Sequence, residues 1–119
     1  MRILGAAITL AVSDPTASST FFCTHLGFRP TVIDEGSICL ERDDLDVEIV
    51  LRQSESDPGV RMSFDVSDLI AEQERLAEEG AHISEPLRRA AGGTLLLRLT
   101  DPNHVEIELT QWLPPAGYP

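Results

Sequence analysis

An internal repeat is the feature that most limits how this chain can fold. Residues 8–14 read Ile-Thr-Leu-Ala-Val-Ser-Asp and residues 62–68 read Met-Ser-Phe-Asp-Val-Ser-Asp. Both segments alternate as strands do, both close on Val-Ser-Asp, and both are followed by a helical segment that stops at a glycine. Later, the run 47–51 is echoed by the run 105–109, so each half contains a strand, a helix and then several strands.

The repeat predicts an α+β fold made of two βαβββ modules. We expect the modules at about 3–54 and 59–111, within a single domain of 119 residues, and a C-terminal tail at 112–119. The residues beyond 112 are rich in proline, which disfavours a helix or a central strand there.

The ends of both predicted helices carry residues that cap helices. Asp14 is a suitable N-cap, Pro15 fits the first helical position, and Gly27 can take the left-handed conformation that closes a helix. The second helix is expected to start near residue 67 or 68 and to stop at Gly80. Its apolar side is predicted to consist of Leu69, Ile70, Leu76 and Ala77.

The alternation gives each strand one bulky apolar face and one small or polar face. The bulky face must pack on the helices. The second face has two interpretations, because a half-exposed antiparallel sheet and a sheet that surrounds a ligand would show the same alternation. Its members include Ala7, Thr9, Ala11, Cys39, Glu48, Arg61, Ser63, Asp65 and Glu108.

Charge and composition exclude several classes of function. The chain has 9 Lys+Arg against 20 Asp+Glu, a net charge of −11, which disfavours nucleic acid and anionic membranes as partners. No apolar run is long enough to cross a membrane, and the apolar N-terminus is interrupted by Thr9 and stopped at Ser13, so we interpret it as a strand and not as a signal peptide. The cysteines, Cys23 and Cys39, form no disulfide framework, which favours a cytoplasmic protein.

The chain resembles the vicinal oxygen chelate superfamily, which includes glyoxalase I, extradiol dioxygenases and bleomycin-resistance proteins. In the first half the resemblance rests on Leu10-Ala11-Val12-Ser13-Asp14, Phe21-Phe22 and Leu26-Gly27-Phe28. In the second half it rests on Phe64-Asp65-Val66-Ser67-Asp68 and on Asp101-Pro102-Asn103 before Ile107-Glu108-Leu109. The resemblance implies a mixed sheet that curves into a cup, with the helices on its convex face, and modules that meet across a homodimer.

The resemblance also identifies the positions at which metal enzymes of the superfamily hold their ion. They fall at Ala7, Glu48, Arg61 and Glu108. Alanine cannot coordinate a metal, and Arg61 puts a permanent cation where a divalent ion should sit. An ion pair of Arg61 with Glu48, Glu108 or Asp65 is the structural alternative. We therefore expect no metal and no other cofactor; if any metal binds, Glu48 and Glu108 are its candidate ligands.

The resemblance favours the metal-free, bleomycin-resistance-like branch over the enzymes. We expect a non-catalytic protein that sequesters an antibiotic or related natural product, cationic or aromatic, in a cleft at the dimer interface. One alternative is a metal-dependent enzyme of the glyoxalase or dioxygenase type that uses Glu48 and Glu108. Another is a helper subunit or catalytic relic that only dimerises. The predicted ligand-binding residues are Thr9, Cys39, Glu48, Arg61, Ser63, Asp65, Glu108 and Trp112.

Overall fold

The computed structural model describes residues 1–55, 59–90 and 92–112. Over these residues it contains two helices and eight strands, which form two four-stranded sheets. The chain divides into two units, Met1–Gly59 with Pro102–His104, and Val60–Asp101 with the segment from Val105 onward. Within the described ranges, no helix is long and apolar enough to span a membrane. The predicted tail beyond residue 112 lies outside the described residues.

The first unit is a βαβββ module. Its sheet has the order β1-β4-β3-β2, in which β1 is parallel to β4 and the other neighbours are antiparallel. The elements are β1 (Ala6–Val12), α1 (Pro15–Leu26), β2 (Arg29–Asp34), β3 (Ser37–Glu41) and β4 (Val47–Gln53).

Helix α1 forms where the sequence predicts it. The Asp14 side chain accepts a hydrogen bond from the Ala17 amide, and Gly27 closes the helix at φ 71°. The helix packs on β2, β3 and β4. Its buried rings, Phe21 and Phe22, therefore complete an apolar core with the inward face of the sheet.

The turn between the last two strands of the chain belongs to the first unit. The Asn103 side chain donates to the Asp14 carbonyl oxygen (2.7 Å) and to Ser18 Oγ (2.7 Å), and its Oδ1 accepts from Ser13 Oγ (2.9 Å) and the Asp14 amide (3.2 Å). The next residue, His104, has φ 67°, a conformation that L-residues rarely adopt. The start of α1 is thus held by a residue far away in sequence.

The second unit repeats the architecture of the first. Its sheet has the order β5-β8-β7-β6, with β5 parallel to β8 and antiparallel pairing elsewhere. The elements are β5 (Arg61–Asp65), α2 (Leu69–Glu78), β6 (Ile83–Ala90), β7 (Thr94–Thr100) and β8 (Glu106–Trp112). The predicted α+β class and the repeated βαβββ order are confirmed.

Helix α2 confirms the predicted ends but not the whole of the predicted apolar side. Asp68 caps it by accepting from the Ala71 amide, and Gly80 follows its end at φ 75°. Leu69 and Leu76 are fully buried, but Ile70 is 56% exposed and Ala77 is also exposed. The prediction for Ile70 and Ala77 was wrong because the contact of this short helix with its sheet is narrower than the apolar stripe in the sequence.

The C-terminal boundary also differs from the prediction. Trp112 is the last residue of β8, opposite Thr94 of β7, and not the first residue of a tail. The strand extends this far because its antiparallel pairing with β7 is unbroken from Glu106 to Trp112.

Candidate functional site

Each sheet has one face covered by its own helix and a second face that carries the predicted ligand-binding residues. In the first unit, Ile49 and Leu51 of β4 point into the core. The alternate residues of β1, β3 and β4 therefore form the opposite face. Thr9, Cys39 and Glu48 lie on this face, among the small residues Ala7 and Ala11.

Cys39 and Glu48 interact on the first sheet. The pKa of the Cys39 thiol is raised, first because partial burial disfavours the thiolate and second because the Glu48 carboxylate repels a second negative charge and hydrogen-bonds the thiol. Arg52 acts in the opposite direction. A thiol held in its neutral form is a poor nucleophile, which argues against covalent chemistry at Cys39.

We expect alkylation of Cys39 by iodoacetamide at pH 8 to report on this contact. Replacing Glu48 by glutamine removes the repelling charge, so Cys39 should react about threefold faster, since the thiolate is the reactive form. Peptide mass spectrometry measures the rate separately for Cys39 and for Cys23, which lies on α1 near Ser19 and serves as the internal control. An unchanged rate at Cys39 would show that Glu48 does not act on the thiol.

Ion pairs organise the corresponding face of the second sheet. Arg61 pairs with Glu106 (3.0 Å), its direct neighbour across the β5–β8 ladder. The expected partners, Glu48, Glu108 and Asp65, were therefore wrong. The register explains the difference, because it places Ser63, and not Arg61, opposite Glu108.

Arg98 is a residue of this face that the sequence analysis missed. Its Nη1 lies 2.8 Å from Glu85, and its buried Nε lies 3.9 Å from the Glu108 carboxylate. Glu85 also pairs with Arg88, and these guanidinium groups, Arg88 first, lower the pKa of the Glu85 carboxyl group. An arginine inside the apolar run of β7 was the signal that could have identified it.

The other predicted residues of this face lie on β5 and β8. Asp65 accepts a hydrogen bond from Thr110 Oγ1 (2.6 Å), and Ser63 is exposed beside Glu108. Trp112 shares the alternation of Glu108 and Thr110 and is 69% exposed. The second sheet thus brings together Arg61, Ser63, Asp65, Glu108 and Trp112 of the predicted set, and the first sheet brings together the other three.

The register does not fit a metal centre of the kind that the resemblance implies. Across the parallel pairs, Thr9 faces Val50 in the first unit and Ser63 faces Glu108 in the second. Because Thr9 and Ser63 are equivalent in the repeat, the counterpart of Glu108 is Val50, and Glu48 corresponds instead to Glu106. The two glutamates proposed as ligands are therefore not at equivalent positions.

The side chains at the expected ligand positions also do not suit a metal ion. Among the residues that the structure describes, no three His, Cys, Asp or Glu side chains come together in a group that could hold a metal ion. Ala7 offers no donor atom. Arg61 offers a cation, which is already paired with Glu106. Such a set is a poor site for Zn²⁺ or Fe²⁺.

A groove in the first unit was not predicted. It has a volume of about 470 Å³ and lies between the start of α1 and the β2–β3 hairpin. Its lining includes Asp14, Pro15, Ile33, Asp34 and Ile38. Ile33 and Ile38 are paired residues on the helix side of the sheet, so the groove lies apart from the face that carries Thr9 and Glu48.

Comparison with known families accounts for the repeated module. The Glyoxalase/Bleomycin resistance protein/Dioxygenase superfamily profile matches residues 6–109. The chain belongs to this superfamily. No curated protein matches it significantly.

Several solved structures have the same fold as this chain. TioX from Micromonospora sp. ML1 is 19% identical, with a TM-score of 0.77, over 92% of this chain and 98% of TioX. A superfamily member from Sphaerobacter thermophilus gives the same identity, TM-score and coverage. A glyoxalase/bleomycin resistance protein/dioxygenase from Nocardioides is 20% identical, with a TM-score of 0.78, over 100% of this chain and 89% of that one. At these identities the likeness establishes the fold alone.

Proposed function

We propose that this protein binds a small molecule without transforming it, and that it sequesters an antibiotic or a related natural product. The observation that carries the proposal is the character of the sheet faces opposite the helices, where small residues and oriented charges stand at positions that hold metal ligands in the enzymes. The superfamily to which the chain belongs includes bleomycin-resistance proteins.

The second sheet supplies the features that a ligand site needs. Ser63 leaves room on the surface, since a serine fills little of the space above a strand. Arg61 and Arg98 are fixed by their ion pairs, so they are already oriented when a ligand arrives. Trp112 offers an exposed ring for stacking at the end of the same face.

The charge of this face favours a cationic ligand. Its carboxylates, which include Asp65 and Glu108, outnumber its guanidinium groups. Within the described residues Asp65 forms no ion pair; its contact is the hydroxyl of Thr110. The net charge of −11 adds a long-range attraction for cations. Reduced Cys23 and Cys39 would suit sequestration in the cytoplasm.

A bulky substitution on this face tests the proposal. We expect Ser63→Trp to weaken binding at least tenfold, because the indole would occupy the space above β5. Isothermal titration with metal-free bleomycin is the first measurement, followed by other cationic and aromatic antibiotics. Ala77→Trp is the matched control, since Ala77 is also small and exposed but lies on α2.

Two results would contradict the proposal. One is equal binding by Ser63→Trp and the parent protein, which would place the ligand elsewhere. The other is native mass spectrometry that finds stoichiometric Zn²⁺, Ni²⁺ or Mn²⁺ on protein purified without a chelator. That second result would favour the enzyme alternative, with Glu108 as the first candidate ligand to replace by glutamine.

A further inference from the structure

A row of four residues crosses the second sheet on the face opposite its helix. The ladders pair Glu85 with Arg98 and Arg98 with Glu108, and they place Ser63 beside Glu108 on the parallel side. Side chains of directly paired residues lie on the same face of a sheet. The charges along the row therefore alternate, negative at Glu85, positive at Arg98 and negative at Glu108, and the row ends at the neutral Ser63.

Arg98 pairs with Glu85 and not with Glu108. Its Nη1 lies 2.8 Å from the Glu85 carboxylate, the distance of a charge-assisted hydrogen bond. Its Nε lies 3.9 Å from the Glu108 carboxylate, which is too far for a hydrogen bond. This buried nitrogen has no acceptor in the part of the chain that the structure describes. Glu85 thus takes the guanidinium group with which Glu108 would otherwise pair.

The position of Glu85 depends on an irregular part of β6. The β6–β7 ladder shifts register on both sides of Glu85 and sets this residue opposite Arg98. Within the second shift, the Leu87 amide donates to Gln73 of α2 (2.9 Å), so a contact with the helix helps to fix the irregularity. Glu85 also pairs with Arg88 there, so that one carboxylate holds two guanidinium groups.

The Glu108 carboxylate, in contrast, has no close partner. Its side chain is 19% exposed, so most of its surface is removed from water. Over residues 1–55, 59–90 and 92–112 its carboxylate accepts no hydrogen bond, and its ion pair is the 3.9 Å contact with Arg98. A carboxylate that loses water without gaining hydrogen bonds or a close cation is destabilised. It is therefore the group in this row that gains most from an added cation.

We propose that Glu85 determines which ligands the second sheet accepts: by holding Arg98, it leaves the Glu108 carboxylate to bind one ammonium or guanidinium group of a ligand. This inference rests on the proposed function and names the part of the ligand that is recognised. The group carries N–H donors, because Glu108 lacks hydrogen bonds as well as a cation. It approaches from the side of Ser63, whose short side chain leaves space beside Glu108.

Glu85 is a positioning residue, because it acts on the ligand through Arg98. Without Glu85, the remaining carboxylate opposite Arg98 is that of Glu108. A movement of about 1 Å by the guanidinium group closes the gap to hydrogen-bond distance. The new ion pair then neutralises the carboxylate that the cation of the ligand needs. Loss of Glu85 weakens binding in this way although Glu85 itself does not contact the ligand.

A double-mutant cycle tests this coupling. Glu85→Met keeps the length of the side chain without its oxygens, and isothermal titration with metal-free bleomycin measures the affinity. We expect Glu85→Met to weaken binding about tenfold. In an Arg98→Met background the same change should alter the affinity less than about twofold, because no guanidinium group is left to turn toward Glu108. A long-range effect of the Glu85 charge would instead appear equally in both backgrounds.

Two further variants serve as controls. Arg88→Met is the matched control, because it removes the other partner of Glu85 and leaves the pair of Glu85 with Arg98 in place. Its affinity should stay within about twofold of the parent value. Glu85→Gln, the variant closest in shape, should show a smaller loss in the same direction, since its neutral amide oxygen holds Arg98 less strongly than a carboxylate does. Circular dichroism checks that each variant is folded.

A crystal structure of Glu85→Met, or of Glu85→Gln if the first variant does not fold, gives a measurement without ligand. A guanidinium nitrogen of Arg98 should lie about 3 Å from the Glu108 carboxylate. An Arg98 that keeps its place, an unchanged affinity, or equal losses in both backgrounds would overturn the proposal. If the parent protein binds neither bleomycin nor another cationic antibiotic, the proposed function fails. The crystal structure then still decides whether Glu85 keeps Arg98 away from Glu108.

Discussion

Replacing Asn103 by alanine is expected to lower the free energy of unfolding by about 3 kcal/mol. The side chain is nearly fully buried, and its amide both donates and accepts at the start of α1. Its removal leaves the Ser18 hydroxyl, which is fully buried, without this partner. A buried polar group that loses a partner costs about 1–3 kcal/mol.

Urea denaturation followed by circular dichroism measures the change, provided that the dependence on urea concentration stays the same. Pro102→Ala is the matched control, because Pro102 lies in the same turn and is exposed. Its effect should stay within about 0.5 kcal/mol. A loss below about 1 kcal/mol for Asn103→Ala would show that water replaces the amide.

The role of Asn103 marks the limit of what the sequence could predict. The helix ends at Asp14, Gly27 and Asp68 were predicted because capping depends on residues within one turn of the cap. The contact of Asn103 with Ser13 joins residues 90 positions apart, and the sequence around either residue does not indicate it. The error at Ile70 has a similar origin, since helical spacing defines a stripe but not how much of it the sheet covers.

In the candidate site, too, the sequence predicted what depends on neighbouring residues and failed where distant residues decide. Strand alternation has a period of two, so the sequence could assign Thr9, Ser63 and Glu108 to the face opposite the core. It could not assign partners across strands, because these depend on register. Arg61 therefore received the wrong partners. The match of Glu48 with Glu108 was a separate error, because the similarity of 47–51 to 105–109 already aligns Glu48 with Glu106, as the ladders do.

Replacing Phe22 by alanine is expected to cost about 3–5 kcal/mol, because a fully buried ring is lost and a cavity remains. The ring makes edge-to-face contacts with Phe21 (5.9 Å between centroids) and Phe28 (5.6 Å), and the Arg42 guanidinium group lies over Phe28. Phe22→Leu, which keeps most of the apolar volume, should cost about 1–2 kcal/mol.

Comparing Phe22→Ala with Phe22→Leu also tests whether packing of the core affects the candidate site. Helix α1 packs on β3 and β4, the strands that carry Cys39 and Glu48 on their other face. If loss of the Phe22 ring loosens these strands, Cys39 should be alkylated faster in Phe22→Ala than in Phe22→Leu at a urea concentration where both remain folded. Equal rates in the two variants would mean that the face keeps its geometry despite the cavity beneath it. The face that carries Cys39 and Glu48 would then be rigid because of its own strand pairing. Such rigidity favours a preformed ligand site.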